Sequence, residues 1–155
     1  MESLCGLMLD TQVFDRVLDN DLPTDVLSNY NVYITHVQPD ELERARGDRK
    51  VKLLECLRRI EPTQLSTATS VWDDTPWDEG SWSDDVTYER MLARLKQLDN
   101  SNKKFENQSR DVRIAETALK HGLTLVSDDT NLRTVMTEFG GKAISTMELQ
   151  KNWKN

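Results

Sequence analysis

The spacing of apolar residues changes period several times along the chain, and each change marks a new element. Leu4 to Leu9 (LCGLML) is a nearly unbroken apolar run ending at Asp10, which predicts a strand buried on both faces. Val13, Phe14 and Val17 then fall at helical spacing, and Pro23 to Leu27 predicts a further helical turn. Val32 to Thr35 (VYIT) reads as a second strand and His36 to Arg46 as a helix, with Pro39 suited to its first turn. Val51, Leu54, Leu57 and Ile60 predict another helix, stopped by Pro62, with Lys50, Lys52, Arg58 and Arg59 on its solvated sides. Thr63 to Trp72 (TQLSTATSVW) predicts an edge strand. Periodicity then fails in an acidic, Trp-rich loop, until Ser83 offers a cap and Met91, Leu92, Leu95 and Leu98 form a helical stripe.

After a polar linker from Asn100 to Gln108, the stretch from Ser109 to Phe139 is the best defined in the chain. Ser109 is placed to cap a helix with Asp111 in its first turn, where a carboxylate suits the positive end of the dipole. Ile114, Ala115, Ala118 and Leu119 give its apolar face, and Gly122 its stop. Leu123 to Val126 is a short, β-rich run, read as a buried parallel strand. Asp128 and Asp129 follow, and Leu132, Val135, Met136 and Phe139 form a helix stopped by Gly140-Gly141. Lys142 to Ile144 closes the series as a last strand, and Ser145 with Glu148 has the spacing of a capping box. Strands alternating with helices predict an α/β fold of three layers, a central parallel sheet between two helical layers. All 155 residues are assigned to one domain, with the Trp-rich loop as an insertion at about 72–84.

Composition narrows the function. The net charge of -7 argues against binding nucleic acid through a broad basic surface, but leaves open an acidic centre neutralised by cations. No apolar run reaches the roughly 20 residues of a membrane span, and no signal peptide pattern opens the chain. Cys5 and Cys56 lack metal-finger spacing and read as reduced thiols, so a cytoplasmic protein is expected. No Gly-rich phosphate loop supports nucleotide-triphosphate chemistry. Trp72, Trp77 and Trp82 stand among seven acids from Asp73 to Glu89. They read either as indoles packed under an acidic surface loop or as an accessory partner surface.

Acidic residues supply the candidate chemistry. Asp10, Glu41, Asp111 and Asp129 come from four segments, each at a strand's carboxyl end or near the start of a helix docking there. The local reading of Asp128 and Asp129 is a helix cap. In a parallel sheet, however, the carboxyl ends share one rim. Carboxylates gathered there would repel by roughly 4 kcal/mol per pair at about 4 Å and an effective dielectric near 20. Protonation or a hard cation relieves that repulsion, and carboxylate and water ligands suit Mg²⁺ or Mn²⁺. Such a cation binds phosphate oxygens and acidifies a water, as phosphodiester hydrolysis requires.

LMLDTQVF, VYITHVQPDELER and above all DVRIAETALKHGLTLVSDDTNL resemble the PIN-domain nucleases, and within them the VapC-like toxin ribonucleases of toxin–antitoxin pairs. The resemblance covers both ends of the chain and leaves residues 72 to 90 without a counterpart. It implies a PIN-like fold and a metal-binding catalytic quartet of Asp10, Glu41, Asp111 and Asp129. Asn131 falls where a further Asp or Asn supports the metal, and Thr11 where a hydroxyl lies near it. Asp128 stands where the family commonly has a basic or polar residue; spacing favours Asp129 as the fourth acid. The resemblance further implies an RNA substrate, an inhibitory antitoxin protein as partner, and a homodimer. Two other readings compete. One is a catalytically silent PIN-like binding or scaffold module. The other is a phosphoacceptor receiver domain, which would want its paired acids after the first strand, whereas here the pair comes late.

Overall fold

A computed structural model describes residues 6–19, 21–67, 86–100 and 104–154. Five parallel strands form one sheet in the order β3-β2-β1-β4-β5. They are β1 (Gly6–Leu9), β2 (Asn31–Ile34), β3 (Thr63–Gln64), β4 (Thr124–Val126) and β5 (Lys142–Ile144). Helices α1 (Thr11–Leu18) and α2 (Thr24–Leu27) join β1 to β2, and α3 (Val37–Glu43) and α4 (Gly47–Ile60) lead on to β3. Helices α5 (Thr87–Asp99) and α6 (Phe105–Lys120) precede β4, α7 (Thr130–Glu138) precedes β5, and α8 (Thr146–Lys154) follows it.

The alternation of side chains along the central strands divides the core. Leu7, Leu9 and Val126 pack with Phe14, Val26, Leu53 and Leu149 on one face of the sheet. Met8 and Leu125 pack with Met91, Leu95, Ile114, Ala118 and Met136 on the other. The three layers anticipated from the sequence are therefore present, and β1 and β4, buried at every position, lie at the centre. From β1 the chain first proceeds to one side, through β2 and β3; it later returns to β4 and β5 on the other. The reversal between β1 and β4 opens a crevice at their carboxyl ends, where open α/β sheets accommodate ligands.

Three expectations need correction. Helix α6 starts at Phe105, not Ser109, so part of the expected linker is helical and Asp111 lies within the helix rather than in its first turn. The cause is tertiary. Gln108 is buried against Asp99, Lys96 sits 4.6 Å over the Phe105 ring, and Ser109 bonds Tyr88 at 2.5 Å instead of capping. In α4 Leu53 and Cys56 are buried in the core and Leu54, Leu57 and Ile60 pack against it partly buried, but Val51 is 67% exposed. A strict three-residue step drifts about 60° around a helix at each repeat, which carries Val51, at the far end of the stripe, off the buried face. Strand β3 is on the edge as expected, but only two residues long. Cys5, Ser83 and the insertion at about 72–84 lie outside the described residues. Among the described residues no helix is long and apolar enough to cross a membrane.

Candidate active site at the carboxyl rim

Asp10 follows β1 directly and caps α1, accepting from the Thr11 backbone N–H at 2.8 Å. Its other oxygen accepts from the Ser127 hydroxyl at 2.7 Å, and its own backbone N–H donates to Val126 O at 2.9 Å. The carboxylate is thus stitched to the ends of both central strands and is 4% exposed. Burial pushes its pKa up to about 6; the bonds from Ser127 and Thr11 oppose that, and the Glu41 and Asp129 carboxylates add to it.

Glu41 reaches the same place from α3. Gln38, wholly buried one turn earlier, accepts from the backbone N–H and the hydroxyl of Thr35, and donates to Leu9 O at 2.7 Å. This single amide ties the carboxyl end of β2 to that of β1 and seats the start of α3 between them. Glu41 Oε1 then accepts from the Thr11 hydroxyl at 2.5 Å.

Asp129 arrives from β4. Its Oδ1 accepts from the backbone N–H groups of Asn131 and Leu132, so it is the N-cap of α7, as the local reading expected. Its backbone N–H donates to Ser127 Oγ at 3.1 Å. A continuous hydrogen-bonded path therefore runs Glu41–Thr11–Asp10–Ser127–Asp129 across three elements.

Asp128 points elsewhere. It accepts from the Thr146 backbone and hydroxyl and from Arg16 Nε at 2.9 Å, binding the start of α8 to α1. Burial opposes its ionisation, but the Thr146 and Arg16 bonds outweigh it and hold the pKa below the usual carboxylate range. Asp111 is half-buried on α6, about two and a half turns before Lys120. This is a rise of about 14 Å, enough to bring it from the amino end of β4 to beyond the strand's carboxyl end. Helix α6 packs on β1, β4 and α3, but the hydrogen-bonded path traced above does not pass through Asp111.

The donors at the rim are all oxygens: the carboxylates, the Thr11 hydroxyl and the Asn131 amide. That set fits a hard divalent cation and not a soft one. Among the described residues no three His, Cys, Asp or Glu side chains stand close enough together to form a cage for a metal ion. One hollow of about 250 Å³ lies at the amino ends of β2 and β3, and another of about 610 Å³ lies between α1 and α4. The rim is distinguished by buried charge. Sequence reading missed Gln38, Ser127 and Asp99, whose roles depend on contacts between elements distant in the chain; only Ser127, next to the paired acids, had a local signal.

No protein-family model matches the chain, and a search of curated proteins finds no match. Solved structures do resemble it. The FitAB complex bound to an IR36 DNA fragment matches with 16% identity and a TM-score of 0.51, over 90% of this chain and 94% of that one. VapBC-5 of Mycobacterium tuberculosis, a member of the VapBC family of toxin–antitoxin systems, matches with 20% identity and a TM-score of 0.49, over 91% and 97%. FitAcB from Neisseria gonorrhoeae matches with 16% identity and a TM-score of 0.46, over 91% and 98%. The fold is the PIN-like one that the sequence resemblance implied.

Proposed function

We propose that the chain is a divalent-cation-dependent endoribonuclease. Asp10, Glu41, Asp111 and Asp129 hold Mg²⁺ or Mn²⁺, and Asn131 adds an amide oxygen. The observation that carries this reading is the burial of Asp10 at the β1–β4 switch point, in the field of two further carboxylates and with only hydroxyl and amide partners. A bound cation supplies charge neutralisation at a phosphate and an acidified water. The chain's own contribution is to hold its carboxylates in place before substrate arrives. Thr11 fixes Glu41, and Ser127 fixes Asp10 relative to Asp129. The α7 backbone engages Asp129 Oδ1 and so fixes the direction of the carboxylate assigned to the cation. RNA as substrate, an antitoxin-type inhibitor protein as partner, and a homodimeric state rest on the sequence resemblance.

One observation favours the silent scaffold instead: the described acids do not form a ready-made cage. Cleavage of RNA oligonucleotides by the wild type and by Asp10→Asn, each with Mn²⁺ and with EDTA, separates the two. The nuclease reading expects cleavage by the wild type in Mn²⁺ alone. Cleavage that persists in EDTA, or none in any condition, removes it.

A further inference from the structure

Asp99, the last residue of α5, is 4% exposed and lies far in sequence from the rim. Its Oδ2 accepts from Gln108 Nε2 at 3.0 Å, and its Oδ1 accepts from Asn131 Nδ2 at 2.7 Å. An ionised carboxylate can only accept, so these contacts decide which end of each amide faces it. Asn131 is thereby fixed with its nitrogen toward Asp99 and its carbonyl oxygen turned away. That oxygen has no hydrogen-bond partner among the described residues. The Asn131 backbone is held separately, its N–H donating to Asp129 Oδ1 at 3.0 Å.

We infer that Asp99 is a positioning residue that locks Asn131 as a neutral oxygen donor beside Asp129. This rests on reading the rim as a cation site. The buried carboxylate governs the charge allowed at position 131. An aspartate there would set two carboxylates against each other in place of a hydrogen bond, with little solvent to screen them. The exchange Asp99→Asn with Asn131→Asp relieves that conflict without moving any group. The amide introduced at position 99 accepts from Gln108 through its oxygen and donates to the carboxylate at position 131 through its nitrogen. Net charge is unchanged; one negative charge has moved from behind the side chain at position 131 to its free end.

The experiment compares wild type, Asn131→Asp and the Asp99→Asn/Asn131→Asp double variant, by thermal melts in EDTA and by calorimetric titration with Mn²⁺. In EDTA the single variant should melt about 5 °C or more below wild type, or fail to fold. The double variant should recover most of that loss. In the titration the double variant should bind Mn²⁺ about tenfold tighter than wild type, because a carboxylate has replaced an amide oxygen in the donor set. A merely structural Asp99 would leave the double variant with wild-type affinity, and that result overturns the inference. So does a single variant as stable as wild type, or a double variant no more stable than the single. A wild type that binds no Mn²⁺ removes the cation reading itself, and with it Asn131 as a donor, whatever the melts show.

Discussion

Replacing Asp10 by Asn should make the cation-free protein more stable above pH 6, although it removes a carboxylate that accepts two hydrogen bonds. The folded state raises the Asp10 pKa from 3.8 to about 6, chiefly by burial. Between those values the folded chain binds more protons at this site than the unfolded chain, so stability falls as pH rises through the window. The full penalty, at about 1.4 kcal/mol per pKa unit, is about 3 kcal/mol and is reached above about pH 7. Asn cannot ionise and escapes it.

The variant also loses something. Its oxygen can keep the bond from the Thr11 N–H, but its nitrogen must donate to Ser127 Oγ, which already accepts from the Asp129 N–H. The Ser127 hydroxyl hydrogen then has no acceptor in that geometry, which costs about 1 kcal/mol. The net expectation is a gain of about 2 kcal/mol at pH 8, shrinking as pH falls and reversing to a loss of about 0.5 kcal/mol near pH 4. Urea denaturation of both proteins in EDTA at several pH values between 4 and 8 measures the difference directly. A difference that does not change with pH, or a variant less stable at pH 8, would refute the reasoning about buried charge.

Other substitutions probe other parts of the argument. Asp128→Asn should keep Mn²⁺-dependent RNA cleavage within a few-fold of wild type, whereas Asp129→Asn should abolish it, as a cleavage assay would reveal. The Asp128 clasp contributes stability above the unfolded carboxylate pKa and loses it as pH falls through the depressed folded one; Asp128→Asn should therefore cost about 1 kcal/mol at pH 7 and less below pH 4, measured by urea titration. Gly122 has φ +68 with nothing within 4 Å of an added Cβ, so Gly122→Ala should cost about 1 kcal/mol through backbone strain alone, and Gly122→Asn less. Saturating Mn²⁺, at a hundredfold excess over its dissociation constant, should stabilise wild type by about 2.7 kcal/mol. The corresponding rise in melting temperature should be far smaller in Asp111→Asn, and equal shifts would exclude Asp111 as a ligand.

How much of this was legible in the sequence depended on where the determining contacts lie. β1 and β4 were readable because strands covered on both faces need apolar residues at successive positions, as in LCGLML and LTLV. The capping box at Ser145 and Glu148 was readable because both of its bonds are local, each 3.1 Å. The start of α6 was not, because Phe105 to Gln108 are held by Lys96 and Asp99, on another helix. The paired acids at 128 and 129 show both cases. Capping by Asp129 follows from its neighbours two and three residues on, while the engagement of Asp128 with Arg16 and Thr146 depends on how α8 docks.

The local reading of Asp129 as a cap and the chemical reading as a ligand do not compete. Capping engages Oδ1 and fixes the side chain's direction by the helix it begins. At Asp10 both oxygens accept one bond, the cap bond from the Thr11 N–H and the other from the Ser127 hydroxyl at the end of β4. A cap alone does not need both acids in one crevice. Ser, Thr or Asn would serve at either helix start without setting a buried carboxylate against a second one. What a neutral cap lacks is charge. The fold therefore carries at its β1–β4 switch point a repulsion that helix capping does not require, in the place where a parallel sheet can present several elements to one ligand. A silent scaffold gains nothing from that arrangement, while a cation site depends on it, and the pH-dependent stability of Asp10→Asn measures the burial and the repulsion of that charge together.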